Sequence, residues 1–256
     1  MIDFTRLQAT SERLVRRLET GGLTALDQVL NASTRTAATY RYTYDRFLRY
    51  FRDKPAGQMI DEQDLFVGFA LAYSWMATIK QLDPAIDTVR SATAALNRLR
   101  SLRAADMAGS PPAPASAPPE WVLRLQPEIE PVRQFLGSVV GTSRLLHFVN
   151  PEAFPMWDAV IHRYYDKAVP GRTLDSLRRY IEYTADVHWL VSHPDFVPRV
   201  YEPVSAALAE AYEAVSDQYP TPEPMGRIRT AEFVMFYGGK AEHFAEQVEQ
   251  RKANHG

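Results

Sequence analysis

The chain has 256 residues, 46% of them hydrophobic and 23% charged, so a substantial core is within reach without covalent staples. It contains no cysteine, which excludes disulfides, thiolate metal sites and cysteine nucleophiles together and fits a reducing, cytoplasmic setting. With 29 lysines and arginines against 31 acids the formal charge is −2, which excludes a protein coated in positive potential but leaves room for one basic side.

The opening MIDFTRLQATSERLVRR carries charges where an export signal needs an apolar run, and no stretch of the chain is apolar for long enough to span a bilayer. Hydrophobic positions recur at helical spacing throughout and nowhere alternate strictly, which predicts an all-α fold. The expected arrangement is an orthogonal multi-helix array of two helical halves with a cleft between them. Helices are expected near residues 3–20, 35–52, 62–80, 86–104, 121–136, 138–149, 156–168, 173–192, 199–217 and 229–249. The halves are 1–108 and 120–256. Between them, 109–119 is rich in proline and alanine and reads as a loop or linker, because proline fixes φ and lacks an N–H donor.

In the N-terminal half Tyr40, Tyr44, Phe47, Leu48 and Phe51 form an aromatic stripe with Arg41, Arg49 and Arg52 around it. The next helix, from Leu65 to Ile79, is apolar nearly all round and should be buried, with Asp64 placed well for the helix dipole. Its Tyr73, Trp75 and Met76 either pack in the core or line a pocket. Arginines gather in 35–54, 90–103 and 163–179. These clusters are either one basic side or ordinary solvated helix faces.

Residues 134–163 are the most informative. Gly137 and Gly141 lie between helical patterns, which predicts a tight reversal and a new helix from about Thr142. The free N–H groups of such a helix start, with the hydroxyls of Thr142 and Ser143 and the permanent charge of Arg144, are suited to holding a phosphate. On a helical wheel Leu145, Phe148 and Val149 share one face and Ser143, Arg144 and His147 the opposite, outward one. Asn150-Pro151 ends the helix. Phe154-Pro-Met-Trp-Asp158 then leads into the next, with Asp158 at its N-terminus, where helix electrostatics favours a carboxylate.

This ordered set resembles the helix-hairpin-helix DNA glycosylase superfamily. Gly137 to Gly141 corresponds to the hairpin, Arg144 to the position usually held by lysine, and Asp158 to the catalytic carboxylate. The strings Ser143-Arg-Leu-Leu-His-Phe148, Phe154-Pro-Met-Trp-Asp158 and Tyr73-Ser-Trp-Met-Ala-Thr-Ile79 also look like phage-defence glycosylases that attack glucosylated hydroxymethylcytosine. The resemblance implies a monofunctional enzyme acting on double-stranded DNA with a modified base. Asp158 would stabilise the oxocarbenium-like sugar, with Arg144 and His147 beside it, and an abasic site would remain. An arginine offers no neutral amine, so no lysine adduct and no strand cleavage are expected at that position. Gly137, Gly141, Thr142, Ser143 and Arg144 would contact DNA, and Tyr40, Tyr73, Trp75, Met76 and Trp157 would line the pocket for the flipped base. No metal, cofactor or obligate protein partner is implied.

Plainer readings stand beside these. Asp158 fits a simple N-cap, His147 a satisfied histidine, and Arg144 an ion pair with a carboxylate such as Glu152. Arg227, Arg229, Glu232 and Tyr237 fit a capped amphipathic helix, and His188 and His193 are too sparse for a metal site. The alternative for the whole chain is a non-enzymatic helical module that binds nucleic acid or protein.

Overall fold

The computed structural model describes residues 2–30, 37–55, 57–74, 85–103, 120–171, 173–214, 216 and 223–255. Among the described residues there are ten α-helices and no strand, so the fold is all-α. They are α1 (Phe4–Leu30), α2 (Ala37–Arg52), α3 (Glu62–Tyr73), α4 (Ile86–Arg100), α5 (Glu120–Leu136), α6 (Val139–Val149), α7 (Ala159–Ala168), α8 (Leu177–Ser192), α9 (Glu202–Glu213) and α10 (Arg227–His255). A π turn, Val197–Tyr201, feeds α9. No described helix is long and apolar enough to cross a membrane. The proline-rich segment 109–119 lies outside the described residues.

Local chemistry sets several boundaries. At α3, Asp61 accepts the backbone N–H of Asp64 at 2.9 Å while Asp64 accepts that of Asp61 at 3.0 Å, a reciprocal capping box. Between α5 and α6 the chain reverses over two residues. Gly137 takes φ +65°, a left-handed conformation that costs glycine little, and Ser138 then caps α6 by accepting the N–H of Gly141. Helix α6 therefore begins at Val139, three residues earlier than the glycine pattern predicts. Gly141 lies in its first turn instead of in the hairpin.

The packing does not follow chain order. Helices α2, α3 and α4 rest on α6, and α4 also lies along α5. The first helix, α1, packs instead on α9 and α10, near the end of the chain. One buried apolar cluster runs from Ile2 to Met235 through both expected halves. Helix α10 packs closely on α7 at Gly238 and Gly239: a Cβ on Gly239 would stand 2.7 Å from the backbone carbonyl of Val160. That approach brings the side chains of α10 over the start of α7, where Asp158 sits.

Candidate active site

Asp158 caps α7, its Oδ1 accepting the N–H groups of Val160 at 2.8 Å and Ile161 at 2.9 Å. It is half-buried and faces a pocket of about 150 Å³ shared with Arg144 of α6 and Arg229 of α10. The walls are apolar and aromatic: Met156, Ile161, Phe233, Phe236 and Tyr237.

The loop 154–158 that delivers Asp158 has its backbone polar groups met by buried side chains from three helices. His147 Nδ1 lies 2.8 Å from the carbonyl of Phe154, and Tyr180 donates to that of Pro155 at 3.1 Å. The N–H of Met156 donates to Glu232 Oε1. Ser143 Oγ accepts the N–H of Trp157 at 3.0 Å and lies 3.1 Å from its carbonyl. Just upstream, His188 Nε2 donates to the carbonyl of Ala153 at 2.7 Å. Ordering five loop residues costs roughly 1–2 kcal/mol each. Burying Phe154, Met156 and Trp157 returns about 1.5–3 kcal/mol each. Apolar burial thus roughly offsets the ordering cost, and the hydrogen bonds, at about 0.5–1.5 kcal/mol each, favour this one loop conformation.

His147 is fully buried, and its ring is neutral: burial and the neighbouring Arg229 guanidinium push its pKa down to about 3, against a pull the other way from the Phe154 carbonyl. A carbonyl can only accept, so the proton resides on Nδ1. Nε2 therefore accepts from the hydroxyl of Tyr44 at 2.6 Å. The 3.5 Å approach of Nδ1 to Glu232 Oε1 is accordingly not an ion pair. Glu232, also fully buried, is pushed up to about 7 by burial, opposed by Arg229, whose Nη1 lies 2.8 Å from Oε2. The Arg229 guanidinium in turn lies 4.8 Å from the centroid of the Tyr44 ring.

The structure redistributes the residues expected from sequence. Asp158 and Arg144 share the pocket. His147 and Ser143 do not form an outward polar face: both are fully buried because the loop needs their hydrogen-bonding atoms more than solvent does. Thr142 is likewise buried, its hydroxyl donating to the carbonyl of Ser138 at 2.7 Å. At the start of α6 the N–H of Val139 is taken by Asp175 at 3.0 Å and that of Gly141 by Ser138, so these two donors point at protein and not at an open phosphate site.

Gly141 serves packing: a Cβ there would meet the Tyr73 hydroxyl at 3.0 Å. Tyr73 is itself core, donating to the carbonyl of Leu136 at 2.7 Å. Trp157 is fully buried against Tyr183 and Tyr165, with its indole N–H on the carbonyl of Leu174. Neither lines the pocket. Tyr40 belongs to α2 but its side chain lies outside the described residues, as do Trp75 and Met76.

Sequence reading missed the contribution of α10. Arg229, Glu232, Phe233, Phe236 and Tyr237 meet α6 and α7 only through tertiary contact, and the one signal available was an arginine and a glutamate three residues apart on an otherwise apolar helix face. Of the arginine clusters, Arg49 and Arg52 pair with Glu223, Arg98 with Glu128 and Arg179 with Asp166. These follow the solvated-face or ion-pair reading. Among the described residues no group of three histidines or acids could hold a metal ion. Comparison with known proteins found no family model, curated protein or solved structure that matches this chain.

Proposed function

We propose that this protein is a DNA glycosylase that hydrolyses the N-glycosidic bond of a modified base and leaves an abasic site. One observation carries the reading: a carboxylate fixed at a helix N-terminus, Asp158, shares a small, aromatic-walled pocket with two arginines. Breaking an N-glycosidic bond develops positive charge on the sugar and negative charge on the departing base. A pocket that holds one fixed carboxylate and two guanidinium groups is complementary to both, and fixed charges of this kind stabilise a transition state without reorganisation cost. Asp158 faces the sugar and orients the attacking water. Arg144 and Arg229 stabilise the base as it leaves. Phe233, Phe236 and Tyr237 offer stacking faces to a base taken out of the duplex.

The volume bears on the substrate. An apolar cavity of about 150 Å³ accepts one benzene ring. A pocket of this size houses a single pyrimidine, so the sugar of a glucosylated hydroxymethylcytosine lies outside its walls. His147 takes no proton in this scheme, being neutral, buried and committed at both nitrogens.

The test incubates the protein with unmodified, hydroxymethylated and glucosylated duplex DNA and scores alkali-labile sites. Asp158→Asn is the informative variant, because asparagine caps a helix about as well as aspartate but carries no charge. Its expected effect is a loss of rate on the order of 10²–10³-fold with an unchanged melting temperature. No abasic sites on any of the three DNAs, or full activity in Asp158→Asn, refutes the reading.

A further inference from the structure

The helix start that the sequence offers to a phosphate is closed, since the N–H of Val139 goes to Asp175 and that of Gly141 to Ser138. A different surface beside the Asp158 pocket suits an anion. Between α1 and α10 runs a groove of about 370 Å³, lined by Arg13, Leu14 and Arg17 from one helix and Tyr237, Ala241 and Ala245 from the other. Tyr237 also walls the Asp158 pocket, so the two hollows adjoin.

Charge is segregated around this groove. Arg13 and Arg17 are exposed and stand one helical turn apart, about 6 Å along the axis. Arg13 bonds only within α1, its Nε donating to the carbonyl of Ala9 at 3.2 Å and its Nη2 to the Thr10 hydroxyl at 3.4 Å, and it forms no ion pair with the described residues. Glu242, the carboxylate among the described lining residues, is already met by Arg6 at 2.8 and 3.1 Å and by Lys167 at 3.3 Å. Two acids of α1, Glu12 and Glu19, line a separate hollow beside the π turn. Arginines elsewhere on the surface are spent on protein, Arg98 on Glu128 and Arg178 on Glu182. A chain of formal charge −2 thus keeps a positive strip next to its pocket.

We propose that the α1–α10 groove holds the phosphodiester backbone of duplex DNA, with Arg13 and Arg17 on neighbouring phosphates of the strand whose base enters the Asp158 pocket. The placement of that base rests on the glycosylase reading; the attraction of the groove for a polyanionic backbone does not. A guanidinium never loses its charge and matches a phosphate with two parallel N–H donors. Leu14, Ala241 and Ala245 give apolar contact to the uncharged deoxyribose between phosphates. The grip on the strand is thereby moved from the hairpin to two helices drawn from opposite ends of the chain.

The experiment titrates the full chain with a fluorescent duplex carrying an abasic site prepared beforehand and follows log K against log salt concentration. Each phosphate contact contributes a slope of about −0.9, so Arg13→Gln with Arg17→Gln should flatten the plot by roughly 1.8. Arg13→Lys with Arg17→Lys keeps the charge and should keep most of the slope. Arg98→Gln with Arg178→Gln removes as much charge from distant ion pairs and should leave the slope unchanged. An unchanged slope in the first variant, an equal flattening in the last, or a wild-type chain that binds phosphatidylserine vesicles and not DNA overturns the proposal. Both groove arginines are exposed, so the melting temperature should hold; if it does not, ultraviolet cross-linking of the wild-type chain to the same duplex decides, with adducts expected on α1 or Tyr237 and a map confined to other helices overturning the proposal. Binding needs no base release. A flattened slope with no abasic sites formed in the base-release assay refutes the glycosylase reading and leaves the groove standing, whereas abasic sites with an unchanged slope do the reverse.

Discussion

At the scale of single residues, the site is organised by groups that do not face it. Ser143, expected on sequence to bind phosphate, holds the backbone of Trp157 one residue before Asp158. Replacing it by alanine leaves a buried N–H unsatisfied, which costs about 1–3 kcal/mol. For a domain of this size each kcal/mol is worth roughly 2–4 °C, so Ser143→Ala should melt several degrees lower in a thermal scan. A melting temperature equal to wild type would show that the loop is held by other contacts. The hydroxyl was legible as polar and helical; its inward direction was not, because that depends on a loop residue fourteen positions further along the chain.

At the scale of elements, the pocket depends on how closely α10 approaches α7. Gly239→Ala tests this with two opposing magnitudes. Alanine in place of glycine favours a helix interior by about 0.5–1 kcal/mol. The added Cβ would lie 2.7 Å from a backbone carbonyl, which cannot swing aside, and overpacking of this kind costs typically about 1–3 kcal/mol. The clash wins, and the variant should be less stable in denaturant unfolding, with weaker base release because Phe236 and Tyr237 move off Asp158. A stabilised Gly239→Ala would mean that the helices are not held at this separation. Helix α10 itself was expected from its periodicity, but which helix it would cover has no trace in local sequence.

At the scale of the whole molecule, two buried groups at the centre respond to pH in opposite senses. Glu232 is raised from 4.5 to about 7 by burial, so between those values the folded chain keeps a proton that the unfolded chain has released. Its contribution to stability is full below pH 4.5 and is lost as pH rises through 7. His147 is lowered from 6.5 to about 3, again chiefly by burial, so the unfolded chain takes up a proton that the folded chain refuses. Its contribution is full above pH 6.5 and is lost as pH falls toward 3. The slopes of these two groups oppose one another between about pH 4.5 and 6.5, and His188, also lowered by burial, adds to the loss on the acid side. Melting temperature should therefore fall both as pH rises through 7 and as it drops toward 3. In Glu232→Gln the alkaline fall from pH 6 to 8 should vanish; its persistence would place the titration on another group.

The amino-acid sequence by itself determined that the chain is all-α, because apolar spacing is a property of each helix taken alone. It also determined where Asp158 stands on its helix, because an acidic residue just after Pro-Met-Trp and just before an amphipathic run is a local capping signal. Only the tertiary structure decided which polar residues face the pocket. Ser143, Arg144 and His147 are neighbours on α6, yet burial against the loop takes two of them inward and leaves only Arg144 at the cavity. Arg229 and Glu232 join the neighbourhood from a helix more than seventy residues away. Helical periodicity reports that a face is covered, but what covers it is set by packing between elements distant in the chain.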